Sequence, residues 1–268
     1  MAFLRSKTVR GERYVYLVRS VWDPARKSSR QEILRYLGRA GDVTVEDVPE
    51  EYRNGRTAEF LASAAGPGQG PDRTAESLLA ALLDGDVEAA AAAYRGYGGG
   101  LGRFYEAVLR PAMSEVGRLW VAGRLGIGVE HVCSNTAISL AGRLTPRPRG
   151  GGTRVMVCSP EGEEHCIGCH VITSYLVSRG FDVRNIAPSV PAQAAADDAA
   201  DWRPAVVLVS VTLEDNVRAA RRLAEMVSGA GVPVVVGGRA AAGAWPGCTV
   251  HGGSLAGLAR LLSGMARR

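Results

Sequence analysis

The 268-residue sequence predicts an α/β protein: a doubly wound parallel sheet preceded by a four-helix bundle and a small basic N-terminal module. Three observations carry that expectation. Short apolar runs alternate with helical patterns from residue 153 to residue 265, as in a parallel sheet covered on both faces. Between residues 74 and 144, apolar side chains recur at helical spacing. Residues 1–40 hold ten Lys or Arg against three Asp or Glu, a net +7 against +5 for the whole chain, which leaves −2 for the remainder. The boundaries that follow are a basic module over 1–61, a linker over 62–73, the bundle over 74–148 and the sheet domain over 149–268.

In the basic module, Arg13 to Trp22 alternates as a strand does, Asp23 to Ser28 is a turn, and Arg30 to Gly38 fits a strand or a short helix. Tyr14, Tyr16, Trp22 and Tyr36 are interleaved with the cations. Such an arm suits nucleic acid, because Lys and Arg neutralise phosphates and release counterions. The bland alternative is a solvated basic hairpin. The hairpin with its Tyr36-Leu-Gly end is similar to the N-terminal segment of some transposases. Residues 41–60 are acidic and polar, and Ala62 to Asp72 has the Gly, Pro and Ala content of a flexible linker.

The bundle follows. Thr74 with Ser77 opens a helix through Leu83 that Gly85 ends, and Asp86 caps an Ala-rich helix to about Tyr94. Apolar residues at 101, 104, 105, 108, 112, 116, 119 and 120 stripe a longer helix, with a kink expected at Pro111. A fourth helix runs from about Val129 to Leu144, and Thr145 to Gly152 links it to the sheet domain. On that stripe Trp120, taken alone, reads as core, and His131 as a surface or capping residue.

In the sheet domain the expected strands are Thr153–Cys158, Asp182–Ile186, Ala205–Ser210 and Val232–Gly238. The expected helices are Val171–Gly180, Pro191–Trp202, Asn216–Gly229 and Ser254–Met265. Three loops at the carboxyl edge then carry Glu163-x-His165-x-x-Gly168, Ser210-x-Thr212 and Gly237-Gly238, where open α/β folds place ligands.

In this order and spacing the three loops resemble the flavodoxin-like cobalamin-binding domain of methionine synthase, corrinoid methyl-transfer proteins, base-off mutases and adenosylcobalamin photoreceptors. The resemblance implies that His165 is the lower axial cobalt ligand and that Glu163 hydrogen-bonds its other ring nitrogen. It further implies that Gly168 completes that cofactor-binding loop and that Ser210, Thr212, Gly237 and Gly238 house the nucleotide tail. Pro111 to Trp120 is similar to the cap helix of methionine synthase. Trp120 followed by Glu130-His131 resembles the cap of CarH-type photoreceptors, where these residues close over the upper axial group. Where those photoreceptors often carry a His directly after the Trp, this chain has Val121.

Cys166-Ile-Gly-Cys169-His170 also matches the c-type haem attachment pattern, and Cys-x-x-Cys pairs serve redox chemistry or zinc. Neither reading is preferred, since no signal-peptide core precedes the motif and zinc wants a second ligand pair. His251 is expected in a surface loop. Five cysteines without a secretory signal predict reduced thiols, and the absence of an 18-residue apolar run argues against a membrane span and for the cytoplasm. The resemblance implies a cobalamin-dependent light sensor without catalytic turnover, with adenosylcobalamin as chromophore, a homo-oligomeric switch, and nucleic acid as target of the basic module in transcription regulation. A corrinoid methyl carrier and a light-independent cobalamin sensor are the alternatives.

Overall fold

The alternation of apolar runs with helices builds a five-stranded parallel sheet in a computed structural model that describes residues 2–9, 12–23, 28–41, 43–65, 71–148 and 150–265. The chain divides into two units, Met1–Ile127 and Gly128–Arg268.

The first unit opens with an antiparallel sheet of β1 (Ala2–Val9), β2 (Glu12–Asp23) and β3 (Ser28–Arg39). The segment that fits strand or helix equally well is thus a strand, and the first eight described residues add one that the sequence reading did not contain. Residues 24–27 of the expected turn lie outside the described residues. Val15, Leu17 and Leu37 pack with Leu61 and Ala64 of α1 (Thr57–Ala65). The stretch with linker composition is therefore helical at both ends, since α2 (Pro71–Leu83) begins on its far side; residues 66–70 lie outside the described residues. Thr74 is not the start of that helix but a buried residue inside its first turns.

Asp86 caps α3 (Val87–Tyr97) by accepting a hydrogen bond from Ala89 N at 2.9 Å, and Gly98 ends that helix in the left-handed region at φ 70°. The striped helix is α4 (Leu101–Phe104), a π turn over Tyr105–Leu109, and α5 (Arg110–Val121). The expected disturbance at Pro111 appears as that π turn immediately before it, with Arg110 N–H bonding Tyr105 O. Phe104, Val108, Ala112 and Val116 are buried along the stripe, and α2 packs against α3 and α5.

The second unit begins with α6 (Ile127–Leu144), the expected fourth helix. Then come β4 (Arg154–Cys158), α7 (Ile167–Ser178), β5 (Asp182–Asn185), α8 (Ala192–Trp202), β6 (Val206–Ser210), α9 (Val217–Gly229), β7 (Val234–Gly237), β8 (Thr249–Val250) and α10 (Leu255–Met265). The strand order is β5-β4-β6-β7-β8. Met156, Cys158, Val207 and Val209 pack against α8 and α9 on one face. The intervening Val155, Val157, Val206 and Leu208 are buried too, and the pleat turns them to the other face. Burial on both sides explains why these strands read as unbroken apolar runs. Among the described residues, no helix is long and apolar enough to cross a membrane.

Candidate functional site

β4 lies between β5 and β6, so the direction of winding reverses between β4 and β6, and the loops leaving their carboxyl ends face one another. Glu163, from the loop after β4, is fully buried at that point. Its Oε2 accepts hydrogen bonds from Thr212 N at 2.8 Å, Leu213 N at 2.9 Å and Asn216 Nδ2 at 3.2 Å, all from the segment after β6. The other oxygen, Oε1, accepts from His165 N at 3.1 Å and faces His165 Nδ1 at 2.7 Å. Burial pushes the Glu163 carboxyl up, but the hydrogen bonds from Leu213, Thr212, Asn216 and His165 outweigh it and hold the group below the ordinary carboxylate range.

An ionised carboxylate only accepts, so the His165 proton resides on Nδ1 and Nε2 carries the lone pair. The His165 side chain is 57% exposed, while its Glu163 partner is 0% exposed. The loop thus holds one half of the imidazole against a buried anchor and presents the other half outward, which is how a protein orients a histidine ligand and raises its basicity.

The loop itself is fixed from below. Gly162 adopts φ 84° and its N–H donates to Ser189 Oγ at 3.0 Å. Ser159 Oγ donates to Glu163 O at 3.1 Å and accepts from Ser189 N at 3.1 Å. Asn216 also bonds Gly162 O at 3.2 Å. Asn216, Leu213 and Ser189 were not among the expected site residues; the polar Asn at the start of α9 was the one signal available.

The expected cofactor-binding residues divide into two kinds. Gly168 sits in the first turn of α7, and a Cβ there would come into ordinary contact with Ser210 Oγ at 3.8 Å, so the chain's own packing does not require glycine at this position. Gly237 and Gly238 are required by the chain's own backbone. A Cβ on Gly237 would lie 3.1 Å from His251 O, and one on Gly238, at φ 110°, would overlap the carbonyl of Val211. Thr212 contributes its backbone N–H to Glu163. His251 is half-buried after β8, with Nε2 3.0 Å from Ser254 O, rather than a loose surface histidine.

Trp120 ends α5 in the first unit and is 46% exposed, so the core reading from its position on the stripe does not hold; Val121 beside it is 79% exposed. Glu130 and His131 occupy the first turn of α6 in the second unit, where Glu130 Oε1 accepts from Ser134 Oγ at 2.7 Å and His131 is exposed. Cys158 and Cys169 are buried; burial pushes the Cys169 thiol up to about 12 despite a hydrogen bond with Ser210, and raises Cys158 as well. Thiols so protonated are poor nucleophiles and poor ligands.

His165 supplies a single protein nitrogen, and among the described residues no group of three or more His, Cys, Asp or Glu side chains could hold a metal ion alone. One pre-oriented imidazole fits a metal that arrives inside a macrocycle.

Comparison with known proteins agrees. Residues 153–253 match the family described as B12 binding domain, and residues 74–144 match a second B12 binding domain family. Dimethylamine corrinoid protein 2 of Methanosarcina mazei is 27% identical over 148 residues, which are 51% of this chain and 68% of that protein. The solved structure of the Methanosarcina barkeri monomethylamine corrinoid protein superposes with a TM-score of 0.59 at 16% identity, over 72% of this chain and 98% of that one, and shares the fold. The two B12 binding matches follow one another along the chain, the one over residues 153–253 containing the Glu163–His165 pair, and together they support a cobalamin-binding protein.

Proposed function

We propose that this chain is a corrinoid carrier that shuttles methyl groups between partner methyltransferases rather than a light sensor, and that it performs no complete reaction by itself. The observation that carries the reading is the buried Glu163 carboxylate holding the outward-facing His165 imidazole at the reversal between β4 and β6. Bound cobalamin would supply a cobalt centre able to accept and release a methyl group. The protein's own task is positional: His165 Nε2 ligates, Glu163 keeps the Nδ1 proton in place, and Thr212, Leu213 and Asn216 keep Glu163 ionised. The Nδ1–H to carboxylate bond would tune the donor strength of Nε2 toward a bound cobalt without moving the loop.

Two further points favour a carrier over a photoreceptor. The curated relative is a corrinoid protein for dimethylamine. The residue after Trp120 is the exposed Val121, whose side chain has no atom able to ligate a metal.

The test uses the full chain loaded with cobalamin. In the cob(II)alamin state, electron paramagnetic resonance is expected to show one imidazole nitrogen coupled to cobalt, and His165→Ala is expected to abolish that coupling. Loaded with adenosylcobalamin and exposed to green light, the carrier is expected to lose the adenosyl group without any change in elution volume on a sizing column. A light-dependent change of assembly state would overturn the carrier reading in favour of the sensor. Retention of the nitrogen coupling in His165→Ala would overturn the ligand assignment.

A further inference from the structure

The three-stranded sheet of the first unit is built the wrong way round for an ordinary hydrophobic core. Pleating puts Ala2, Leu4, Val15 and Leu17 on the face packed against α1, where they form a small aliphatic core. The cross-strand register places all five aromatic residues of β1–β3 on the opposite face: Phe3, Tyr14, Tyr16, Trp22 and Tyr36. Two irregularities in the β2–β3 pairing, beside Tyr16 and Val18, keep Tyr36 on that side.

This aromatic face is open. Phe3, Trp22 and Tyr36 are exposed, Tyr36 to 55%, and so is Ile33 across from Val18. The tyrosines form a cluster, with ring centroids 5.4 Å apart for Tyr16 and Tyr36 and 6.2 Å for Tyr14 and Tyr36. Rings that could have filled the core instead line a surface, and that surface is cationic. Its middle rows read Arg5–Tyr16–Tyr36 and Lys7–Tyr14–Arg39, with no carboxylate in either. Arg39 bonds Tyr94 Oη at 2.9 Å, which fixes that corner of the sheet to α3. Glu32 of β3 faces the other way, paired with Arg19 at 2.7 Å.

We propose that this face binds single-stranded nucleic acid, with bases stacked on Tyr16, Tyr36 and Trp22 and phosphates neutralised by Arg5 and Lys7. Cations and aromatic rings alternating on one face of the sheet match the alternation of phosphate and base along an unpaired strand. A duplex hides its base faces and offers these rings nothing to stack on. An acidic protein partner would satisfy the cations but leaves the aromatic face without a reason, whereas the polynucleotide uses both. The net +7 of residues 1–40 supplies the long-range attraction.

The test measures fluorescence anisotropy of a labelled oligothymidylate single strand, and of the same strand in a duplex, with the full cobalamin-loaded chain. Binding to the single strand, weaker to the duplex, is expected, with affinity falling roughly tenfold between about 50 and about 200 mM salt. Tyr36→Ala is expected to weaken binding roughly tenfold at every salt concentration. The double variant Arg5→Ala with Lys7→Ala changes only exposed side chains; it is expected to flatten the salt dependence. Cobalamin loading and circular dichroism of the variants report folding separately. No binding to the single strand, equal binding to duplex, or binding that neither variant changes overturns the proposal. A dimer of the chain that Tyr36→Ala dissociates, without oligonucleotide binding, overturns it in favour of a second copy as the occupant.

Discussion

Glu163→Ala is expected to destabilise the sheet domain by about 3 kcal/mol and to weaken cobalamin binding by roughly ten- to a hundredfold. The carboxylate sits under five donors: two from His165 on Oε1, and Thr212 N, Leu213 N and Asn216 Nδ2 on Oε2. Removing it leaves Thr212 N–H and Leu213 N–H without a protein acceptor, at roughly 1–3 kcal/mol for each donor that water cannot fully reach. The loop after β4 also loses its tie to the loop after β6, so the imidazole is no longer held in one orientation. Glu163→Gln separates charge from shape. An amide offers one acceptor oxygen to a pocket lined by donors on both sides, so its NH2 group must meet either His165 or the Thr212–Leu213 amides. Gln is therefore expected to fail almost as badly as Ala, although it fills the same volume. Urea unfolding with an unchanged m value measures the first effect, and cobalamin titration the second.

The same carboxyl sets a pH dependence. Its folded pKa is depressed below the unfolded value, so its stabilisation is fully present above the ordinary Glu range. That contribution declines as pH falls through the unfolded and then the folded pKa, because the unfolded chain binds the proton first. Wild-type stability is therefore expected to drop on acidification below about pH 4.5 more steeply than that of Glu163→Gln. Parallel acid profiles for the two proteins would remove the carboxyl from that role.

Much of this architecture was legible because the physics is repetitive. The strands β4, β6 and β7 are sandwiched between helices, and a strand buried on both faces reads as an apolar run, as residues 206–209 of β6 do. Gly85, Asp86 and the stripe as far as Val116 follow local rules of capping and period. The losses have equally local causes. β1 alternates Phe3, Arg5 and Lys7 outward, so it lacks the apolar-in, polar-out signature of a half-buried strand. β8 is two residues long and has no periodicity to read. The Ala-rich ends of the apparent linker carry helix propensity that Gly and Pro composition masked. At the site, the Glu163–His165 pairing is what the resemblance of the Glu163-x-His165-x-x-Gly168 loop implies, and the two side chains do meet. Asn216 could not be read in this way, since its role depends on two loops separated by 53 positions meeting at a strand reversal. Trp120 misled in the opposite direction: a helical stripe says which side chains share a face, not whether that face is covered along its whole length.

Gly238→Ala is the second large effect, and it shows how the sheet edge transmits strain to the cofactor site. At φ 110° the residue occupies backbone space that side chains rarely adopt, and a Cβ there would come within 2.8 Å of Val211 C and 2.9 Å of Val211 N as well as overlapping Val211 O. Nothing in that contact is a flexible side-chain end that could rotate away. Val211 N–H is held by Gly237 O at 2.9 Å and Val211 O accepts Ala240 N–H at 3.2 Å, so the two backbones are locked together. The substitution is expected to cost about 3 kcal/mol or more, from the unfavourable dihedral and the displaced strand end together. Because the next residue after Val211 is Thr212, whose N–H anchors Glu163 at 2.8 Å, the displacement also reaches His165 through two hydrogen bonds. Loss of stability should therefore be accompanied by loss of the single-nitrogen cobalt signal. Gly168→Ala provides the opposite case: its Cβ meets only Ser210 Oγ at an ordinary 3.8 Å, so unfolding should be unchanged while cobalamin affinity falls. If Gly168→Ala left affinity intact, the cofactor would not lie against the chain at Gly168. If Gly238→Ala left stability intact, the close approach of the β6 and β7 ends would not be what requires glycine there.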